Sequence, residues 1–257
     1  MTTTLASQQI ALVTGGSRGL GRSAALHVAR QGYDVVLTFR SRADEAATVV
    51  SQIEALGRRA LALPLDLART ASFAAFADQL QTALTQHFGR ESFDALVNNA
   101  GEGVHVPLAE TTEAQFDQMF RVHLKGVLFL TKRLLPLIAD GGRILNVSSG
   151  LARFTFPGYG AYAAMKGGLE VLSRYLAKEL SPRGITVNVV APGAVETDFG
   201  DGAVRDNAQL NAAIASQTTL GRVGRPDDIG AAVAMLLSPG SRWITGQRIE
   251  VSGGMVL

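Results

Sequence analysis

The stretch IALVTGGSRGLG at residues 10–21 decides the fold of this chain. It opens with four apolar residues, as expected of a strand that is buried on both faces, and it runs into a helical pattern. Between the two lie Gly15, Gly16, Gly19 and Gly21. Glycines allow a sharp turn and a close approach of the backbone to a phosphate, and the N-terminus of the following helix favours an anion. The segment therefore predicts a phosphate-binding strand–loop–helix unit.

The rest of the chain continues the alternation of strand and helix. The candidate strands are Ile10–Thr14, Val35–Phe39, Ala60–Pro64, Ala95–Asn98, Arg143–Ser148, Thr186–Ala191 and Arg248–Val251. The candidate helices are Leu20–Gln31, Asp44–Leu56, Ser72–His87, Thr112–Ile138, Tyr159–Leu180 and Pro226–Leu237. Such alternation implies right-handed strand–helix–strand units and a parallel sheet covered on both faces. We predict an α/β chain with a single Rossmann-type domain over residues 1–257, a doubly wound sheet of about seven strands and a substrate lid at residues 198–217.

The composition narrows the class of protein. The chain has 257 residues, a net charge of +2 and no cysteine. The small net charge argues against nucleic-acid binding, and the lack of cysteine excludes disulfides, thiolate zinc sites and cysteine nucleophiles. The N-terminal MTTTLASQQIALVTGG has no secretory pattern, and no run reaches the ~18 apolar residues of a membrane span. We expect a cytoplasmic protein with no metal, nucleic-acid or membrane partner.

The end of the second strand bears on the choice of dinucleotide. A carboxylate there would bind the ribose hydroxyls of NAD, whereas an arginine nearby accommodates the extra phosphate of NADP. The strand ends at Phe39, and Arg40, Ser41 and Arg42 follow it. Arg18 in the glycine loop can reach the same region, and guanidinium groups bind phosphate through paired hydrogen bonds. We favour NADP(H) over NAD(H), with Arg18 and Arg40 as the main contacts and Ser41 adding a hydroxyl.

Further motifs follow the glycine loop in a fixed order. They are LDLA at 65–68, NNAG at 98–101, NVSS at 146–149, YAAMK at 162–166, PGAVET at 192–197 and TGQRIEVSGG at 245–254. Together with TGGSRGLG at 14–21, they closely resemble the short-chain dehydrogenase/reductase family, in particular its 3-oxoacyl-reductase-like branch, over nearly the whole chain. The resemblance implies an NADP-dependent oxidoreductase that transfers hydride between nicotinamide and a ketone or secondary alcohol.

The resemblance assigns cofactor contacts position by position. In the glycine loop they are Gly15, Ser17, Arg18, Gly19, Leu20 and Gly21. Asp66 would accept a hydrogen bond from the adenine amino group, with Leu67 beside the ring. The contacts expected around the riboses and the nicotinamide are Asn98, Ala100, Gly101, Tyr162, Lys166, Pro192, Gly193, Val195 and Thr197.

Tyr162 and Lys166 lie four residues apart, on one face of the predicted helix Tyr159–Leu180, a spacing that an ordinary amphipathic helix also produces. The resemblance makes Tyr162 the acid/base, and it makes Lys166 its cationic partner. A free tyrosine has a pKa of about 10, and we expect the charge of Lys166 to lower it. Ser149, 13 residues before Tyr162, would stabilise charge on the substrate oxygen, with Ser148 as the structural alternative.

Two positions depart from the family pattern. His123 stands where family members commonly carry an asparagine that supports a water chain to the lysine. Three roles are open for it: to hold the relay water, to titrate near pH 6.5 and modulate activity, or to be a buried neutral side chain. Ser252 stands where an aspartate often precedes the glycine pair, and we expect it to concern packing.

Substrate choice is expected in segments that the motifs do not fix, namely residues 102–106, 151–159 and 198–217. The segment LARFTFPGY at 151–159 is apolar and aromatic, which favours a hydrophobic ketone or aldehyde over a free sugar. Arg153 within it is expected to bind a substrate carboxylate or to remain solvated.

Three alternative functions stay open. A 3-oxoacyl-thioester (acyl carrier protein) reductase would need basic contacts for an acidic carrier, for which Lys132, Arg133 and Arg183 are candidates. The others are a sugar or polyol dehydrogenase and a regulatory protein that binds dinucleotide without turnover. The resemblance also implies a homotetramer, in which the helices Thr112–Ile138 and Tyr159–Leu180 pair across a two-fold axis.

Overall fold

A computed structural model describes residues 8–257 of the protein. Its strands form one parallel sheet in the order β3-β2-β1-β4-β5-β6-β7. They are β1 (Ile10–Val13), β2 (Asp34–Phe39), β3 (Ala60–Pro64), β4 (Phe93–Asn98), β5 (Ile138–Val147), β6 (Thr186–Pro192) and β7 (Arg248–Val251). The strand order reverses between β1 and β4, so a crevice opens at their carboxyl ends, where ligands bind in sheets of this kind.

Helices cover both faces of the sheet. They are α1 (Gly19–Arg30), α2 (Ala43–Ala55), α3 (Phe73–Phe88), α4 (Glu113–Phe120), α5 (Gly126–Leu134), α6 (Gly160–Glu179), α7 (Ala203–Asp206), α8 (Ala208–Ser216) and α9 (Pro226–Leu237). One core lies beneath α1, α2 and α9, and the other lies beneath α3, α5 and α6. The predicted Rossmann-type fold with a seven-stranded parallel sheet is confirmed.

The side chains of β1 explain why its sequence is apolar at every position. Ile10 and Leu12 belong to the core beneath α3, α5 and α6, whereas Ala11 and Val13 belong to the core beneath α1, α2 and α9. All four are fully buried. Complete burial of an Ile or Leu side chain stabilises the fold by about 1.5–3 kcal/mol, so a polar residue on either face of this strand would be costly.

The helix expected over Thr112–Ile138 is present from Glu113 to Leu137, but it is not uniformly α-helical. A π-helical turn at Arg121–Lys125 joins α4 to α5. α5 ends before Pro136, which lacks the backbone N–H that a continuing helix needs. The chain enters β5 at Ile138 instead. The π-helical turn matters for the site because it carries His123.

The segment predicted as a lid, residues 198–217, contains α7 and α8. That it moves over the site stays a prediction. No helix within residues 8–257 combines the length and the apolar character of a membrane span. The stretch for which we expect no secretory pattern includes residues 1–7, which lie outside the described residues.

Candidate active site

The glycine loop lies between β1 and α1, at the carboxyl edge of the sheet. Gly15 has a φ of +66°, and a Cβ there would lie 2.8 Å from the Cα of Ala100. A Cβ on Gly21 would lie 2.1 Å from the carbonyl oxygen of Gly15, so both close approaches require glycine. At Gly19 a Cβ would meet nothing nearer than the Thr197 side chain at 3.7 Å. The loop is therefore packed on its inner side and open on its outer side.

Two side chains that the sequence analysis did not single out support this loop. Asn99 donates from Nδ2 to the carbonyl oxygens of Thr14 and Gly15 at 2.9 and 3.3 Å. The Thr14 hydroxyl accepts from the backbone N–H groups of Asn99 and Ala100, both at 3.0 Å. Both residues stand inside the motifs TGGSRGLG and NNAG, so the signal was present, but their supporting role depends on contacts between distant parts of the chain.

The first turn of α1 suits a phosphate. Its N-cap residue, Arg18, makes no capping side-chain hydrogen bond, and the turn carries no acidic residue. The free N–H groups and the dipole of such a helix end favour an anion. Ser17 is buried and Leu20 is half-buried beside it. The open backbone at Gly19 and this uncapped helix end fit the pyrophosphate of a dinucleotide.

Both arginines expected to hold an extra phosphate pair with carboxylates in this structure. The Arg18 guanidinium lies 3.1 Å from the carboxylate of Asp198. The Arg40 guanidinium lies 3.0 Å from the carboxylate of Glu102. The arginine side chains remain about half exposed or more, and Ser41 beside Arg40 is exposed as well. Arg40 after β2 and Arg18 in the glycine loop thus present their charges to solvent. Each is paired with a carboxylate that an anionic ligand can replace.

The residues expected near the adenosine differ in where their side chains go. The carboxylate of Asp66 accepts a hydrogen bond from the backbone N–H of Ala68 at 3.0 Å. Leu67 is buried. Asn98, in contrast, donates from Nδ2 to the Thr131 hydroxyl at 3.1 Å and to the Asn146 side chain at 2.8 Å. The Asn98 side chain is therefore used inside the core, and only its backbone lies at the crevice.

The segment after β6 lies on the other side of the crevice. Pro192 ends β6, and a Cβ on Gly193 would lie 2.9 Å from the Cα of Ser252. Val195 forms an isolated parallel bridge with Gly224, so the chain is fixed before it reaches α7. The tight contact at Ser252 agrees with the packing role expected for that position.

Tyr162, Lys166 and Ser149 come together at the end of β5. Lys166 is buried, and its Nζ lies 5.6 Å from the centroid of the Tyr162 ring. The same Nζ donates to the carbonyl oxygen of Val147 at 2.7 Å. The Ser149 side chain lies close enough to the phenol of Tyr162 to affect its ionisation, and its Oγ accepts from the backbone N–H of Leu151 at 3.2 Å. The four-residue spacing along α6 and the carboxyl end of β5 thus bring these three side chains close together.

The two adjacent serines differ in what their hydroxyls contact. Ser148 donates to the carboxylate of Glu170 at 2.8 Å and lies 3.3 Å from the carbonyl oxygen of Lys166. It is directed into the protein, toward α6. Ser149 is the serine beside Tyr162, which favours it as the group that meets a substrate.

Burial controls the ionisation of Tyr162 and Lys166. Burial raises the pKa of the Tyr162 phenol above its ordinary range, although the Ser149 side chain acts to lower it. Burial lowers the pKa of Lys166 to about 7. The expectation that Lys166 makes the phenol acidic therefore does not hold for the chain by itself, because the loss of hydration raises the pKa of the phenol by more than the Ser149 side chain lowers it. The phenol is held in its protonated form.

His123 packs its ring edge against Tyr162, with the ring centroids 5.1 Å apart. Its Nε2 donates to the carbonyl oxygen of Glu102 at 2.6 Å, so this nitrogen carries the proton. Its Nδ1 is buried without a hydrogen-bond partner among the described residues. Burial and the nearby Lys166 lower the pKa of His123 to about 3. Titration near pH 6.5, one of the three roles considered from sequence, is excluded, and the ring is a neutral acceptor at Nδ1.

Phe199 is a site residue that the sequence analysis missed. Its ring centroid lies 5.5 Å from that of Tyr162, with the planes at 55°. A Cβ on Gly103 would lie 2.5 Å from its Cζ, so Phe199 also rests on the segment after β4. The sequence placed residue 199 in the lid segment, but nothing local indicated that its ring reaches Tyr162.

A buried phenol that retains its proton, beside a loop built to receive a pyrophosphate, defines the class of protein: an oxidoreductase that works with a dinucleotide. Residues 15–256 match the family model described as Enoyl-(Acyl carrier protein) reductase. The chain belongs to the short-chain dehydrogenase/reductase family, as its motifs predicted, and is an enzyme that interconverts carbonyl and alcohol groups.

Three related proteins illustrate the range of the family near this chain. A 3-oxoacyl-[acyl-carrier-protein] reductase of Staphylococcus aureus, FabG, is 38% identical and covers 96% of this chain and 98% of its own. The hydroxynaphthalene reductase arp2 of Aspergillus fumigatus is 34% identical, with 94% and 90% covered. The crystal structure of the landomycin C-6 ketoreductase LanV with bound NADP and rabelomycin superimposes with a TM-score of 0.88, at 37% identity and 97% coverage of both chains.

Proposed function

We propose that this protein is an NADPH-dependent ketoreductase whose substrate is a ketone on a bulky, largely aromatic ring system. The observation that carries the proposal is the aromatic surround of Tyr162: Phe199 packs on its ring, and Tyr159, which pairs with His105, lies one turn earlier at the N-cap of α6. Two relatives support it by name, since one is a hydroxynaphthalene reductase and another was crystallised with rabelomycin.

Aromatic rings border the approach to Tyr162 from two segments. Phe199 comes from the proposed lid and packs on Tyr162. Tyr159 packs on His105, with ring centroids 4.8 Å apart, and His105 Nε2 lies 3.2 Å from the carbonyl oxygen of Pro157. Flat aromatic faces gain from stacking on a planar substrate beyond the area that is buried.

The chemistry of reduction follows from the protonated state of Tyr162. When bound, the reduced dinucleotide supplies a hydride to the carbonyl carbon of the substrate. Tyr162 passes its proton to the carbonyl oxygen, and burial keeps that proton on the phenol until then. Ser149 donates a hydrogen bond to the same oxygen and stabilises the charge that develops there. Lys166, tethered to Val147, stands beside the phenol and favours the phenolate that remains.

The preference for NADP(H) is assigned to Arg18 and Arg40. Each already holds a carboxylate, Asp198 and Glu102 respectively, so each is positioned to bind an anion at the crevice. A phosphate on the adenosine ribose would replace those carboxylates and form paired hydrogen bonds with the guanidinium groups. Solved relatives with bound NADP or NADPH support the same choice.

A second candidate is reduction of a 3-oxoacyl thioester on an acidic carrier protein. One observation favours it besides the relative from Staphylococcus aureus. A groove between the start of α3 and α5 is lined by Lys125, Lys132 and Arg133 together with Phe73 and Phe129. Cations beside apolar residues suit an acidic helical partner. Arg183, the third predicted contact, is instead paired with Asp140 at 2.7 Å.

Initial rates decide between these functions. We expect 2-tetralone, a bicyclic aromatic ketone, to give a higher kcat/KM than acetoacetyl-coenzyme A or fructose, and NADPH to be used better than NADH. A preference for the thioester would support the second candidate, and a preference for fructose would support a sugar dehydrogenase. Saturable NADPH binding without oxidation by any of these substrates would indicate a sensing protein and overturn the proposal.

A variant of the aromatic surround sharpens the test. Phe199→Leu keeps an apolar side chain but removes the ring. We expect it to lower kcat/KM for 2-tetralone by about tenfold, and to change the rate with acetoacetyl-coenzyme A much less. An equal loss for both substrates would show that Phe199 does not select for aromatic ketones.

We also propose that the protein is a homotetramer. A groove between α4, α5 and α6 is almost entirely apolar, and its lining includes Phe120, Leu128, Phe129, Val171 and Tyr175. Large apolar side chains exposed side by side mark an interface. The groove lies on the helices that the family resemblance pairs across a two-fold axis, where each copy would offer the same face to the other.

A further inference from the structure

Four side chains of alternating charge are linked by ion pairs next to the loop that carries Ser149. They are Arg153, Glu250, Arg248 and Glu170, which we call the charge ladder. Arg153 comes from the loop itself, Glu250 and Arg248 come from β7, and Glu170 comes from α6. The ladder therefore joins three separate parts of the chain at the candidate active site.

The contacts within the charge ladder are short and directional. Arg153 donates from Nε and Nη2 to the two carboxylate oxygens of Glu250 at 2.6 and 2.7 Å. Arg248 donates from Nη1 to Glu250 at 2.9 Å and from Nε to Glu170 at 2.8 Å. Hydrogen bonds between guanidinium and carboxylate groups fix orientation as well as distance. The ladder is thus suited to holding its three segments in a set geometry.

The inner members of the charge ladder lie mostly out of water. The side chains of Arg248, Glu250 and Glu170 are 21%, 20% and 13% exposed. The hydrogen bond from Arg153 lowers the pKa of Glu250 to about 2, so that carboxyl is ionised at any ordinary pH. Screening by salt and solvent is weaker here than for exposed ion pairs, which contribute little.

Glu170 and Arg248, at one end of the charge ladder, contact the loop that carries Ser149. Glu170 accepts from the Ser148 hydroxyl at 2.8 Å. Arg248 donates from Nη2 to the carbonyl oxygen of Ser149 at 3.4 Å, a long hydrogen bond. The ladder therefore holds the side chain that precedes Ser149 and the backbone of Ser149 itself.

Arg153, at the other end of the charge ladder, contacts Phe154 in the same loop. The Arg153 guanidinium lies 5.4 Å from the centroid of the Phe154 ring. Phe154 fills the space beside Gly150, where a Cβ would lie 2.2 Å from its Cζ. Gly150 directly follows Ser149. Members of the charge ladder therefore contact the loop on the Ser149 backbone and, through Phe154, beside Gly150.

We propose that Arg248 and Glu170 are positioning residues, which fix the backbone at Ser149 so that its hydroxyl meets the substrate oxygen beside Tyr162. The inference rests on the role of Ser149 in the proposed function. Neither residue touches the reacting atoms, and both act through the serine loop. Their effect on rate is expected because a displacement of about 1 Å in an orienting group costs up to about a hundredfold in turnover.

The first test is the pair of variants Arg248→Met and Glu170→Gln, assayed with NADPH and the best ketone of the panel. We expect kcat to fall about tenfold in each, with KM changed less than about twofold, because orientation of the reacting groups is lost and binding is not. Arg248→Lys keeps the positive charge but lacks the several N–H donors of the guanidinium group, and it should recover part of the lost kcat. Thermal unfolding shows whether each variant is folded. Glu250→Gln, which removes one charge and keeps the shape, replaces Arg248→Met if that variant does not fold.

The second test asks whether the ladder acts through Ser149. In a Ser149→Ala background, Arg248→Met should lower kcat no further, since the hydroxyl it orients is absent. A general structural defect would lower kcat by the same factor in both backgrounds, and that result would overturn the inference. Unchanged kcat in folded Arg248→Met and Glu170→Gln would overturn it as well.

A matched control is the partly buried pair Arg90–Asp94, at 2.7 Å and with side chains 19% and 16% exposed. It lies at the amino end of β4, away from the site, so Arg90→Met should reduce stability and leave kcat within about twofold of the parent. Failure of the proposed function has a different signature, since the parent protein itself would then not reduce the ketones of the panel with NADPH. Full turnover in Ser149→Ala would show instead that Ser149 has no catalytic role. Loss of turnover in Ser149→Ala, with normal Arg248→Met, would reject the ladder and leave the proposed function standing.

Discussion

Tyr162 is only 6% exposed, and its burial determines which form of the phenol is present. The raised pKa of Tyr162 keeps the proton on the oxygen, while the pKa of Lys166 is lowered to about 7. Without a bound dinucleotide, the phenol is therefore protonated and Lys166 is only partly charged near neutral pH, so the site does not hold a phenolate beside a full ammonium charge. A protonated phenol is the form that can act as an acid, which suits the reduction of a carbonyl group.

Replacing Tyr162 by phenylalanine removes the acid without changing the size of the ring. We expect turnover in Tyr162→Phe to fall by about a hundredfold to ten-thousandfold, the usual contribution of a positioned proton donor. The dissociation constant of NADPH, measured by fluorescence titration, should stay within about threefold of the parent. Tyr159→Phe, three residues earlier, is the matched control and should lose far less activity. Full turnover in Tyr162→Phe would contradict the assignment.

The neutral state of His123 predicts how stability depends on pH. An unfolded histidine has a pKa near 6.5, whereas the folded value is about 3. Between those values the unfolded chain binds more protons than the folded chain, so the free energy of unfolding decreases as the pH falls from about 6.5 toward 3. His123→Asn should weaken this dependence. Denaturant midpoints at about pH 7 and about pH 4.5 measure it, and the exposed His87→Asn variant is the control.

The same substitution tests the relay role of His123. If the side chain holds a relay water, His123→Asn should preserve or increase kcat, because asparagine is the residue that family members commonly carry there. A collapse of kcat in a folded variant would show that the imidazole has a separate function. An equal pH dependence of stability in parent and variant would contradict the neutral, buried state.

At the scale of elements, the turn from β2 into α2 carries Arg40, to which we assign the proposed choice of NADP(H). Its pairing with Glu102 at 3.0 Å shows that the side chain reaches across the crevice. We expect Arg40→Ala to weaken binding of NADPH by about tenfold to a hundredfold, the loss of one or two charged hydrogen bonds. Binding of NADH should change little. Arg42→Ala is the matched control, since Arg42 pairs with Glu45 on the neighbouring turn. Equal losses for both nucleotides would argue against phosphate recognition.

The strands and most helices could be predicted because their residues follow local patterns. A buried parallel strand such as β1 is apolar throughout, and the spacing of Tyr162 and Lys166 places both on one face of α6. The π-helical turn between α4 and α5 was missed, because such a turn has no simple signature in sequence. The contact of Phe199 with Tyr162 was missed for another reason. Tertiary packing determines it, as it determines the bond between Arg248 and Glu170, which are 78 residues apart.

At the scale of the whole molecule, the apolar groove between α4, α5 and α6 predicts assembly. Val171 on α6 is 45% exposed within it. We expect Val171→Lys to dissociate the proposed tetramer at micromolar concentration, because a buried, unpaired charge is costly in an interface. Light scattering gives the mass. Leu56→Lys is the control, since Leu56 is 43% exposed and lies outside the groove. A parent protein that runs as a monomer would contradict the proposal.

The π-helical turn between α4 and α5 has a consequence for how this chain tolerates insertions and deletions. Each residue of an α-helix adds about 100° of rotation, and a π turn holds one residue more than an α turn. The additional residue sets the angular phase of α5, so that His123 lies against Tyr162 while Phe120 and Phe129 on either side line the groove. Loss of a single codon in this turn would rotate one helix against the other. The candidate active site and the proposed subunit contact would then be misaligned together, so both depend on the length of this short segment.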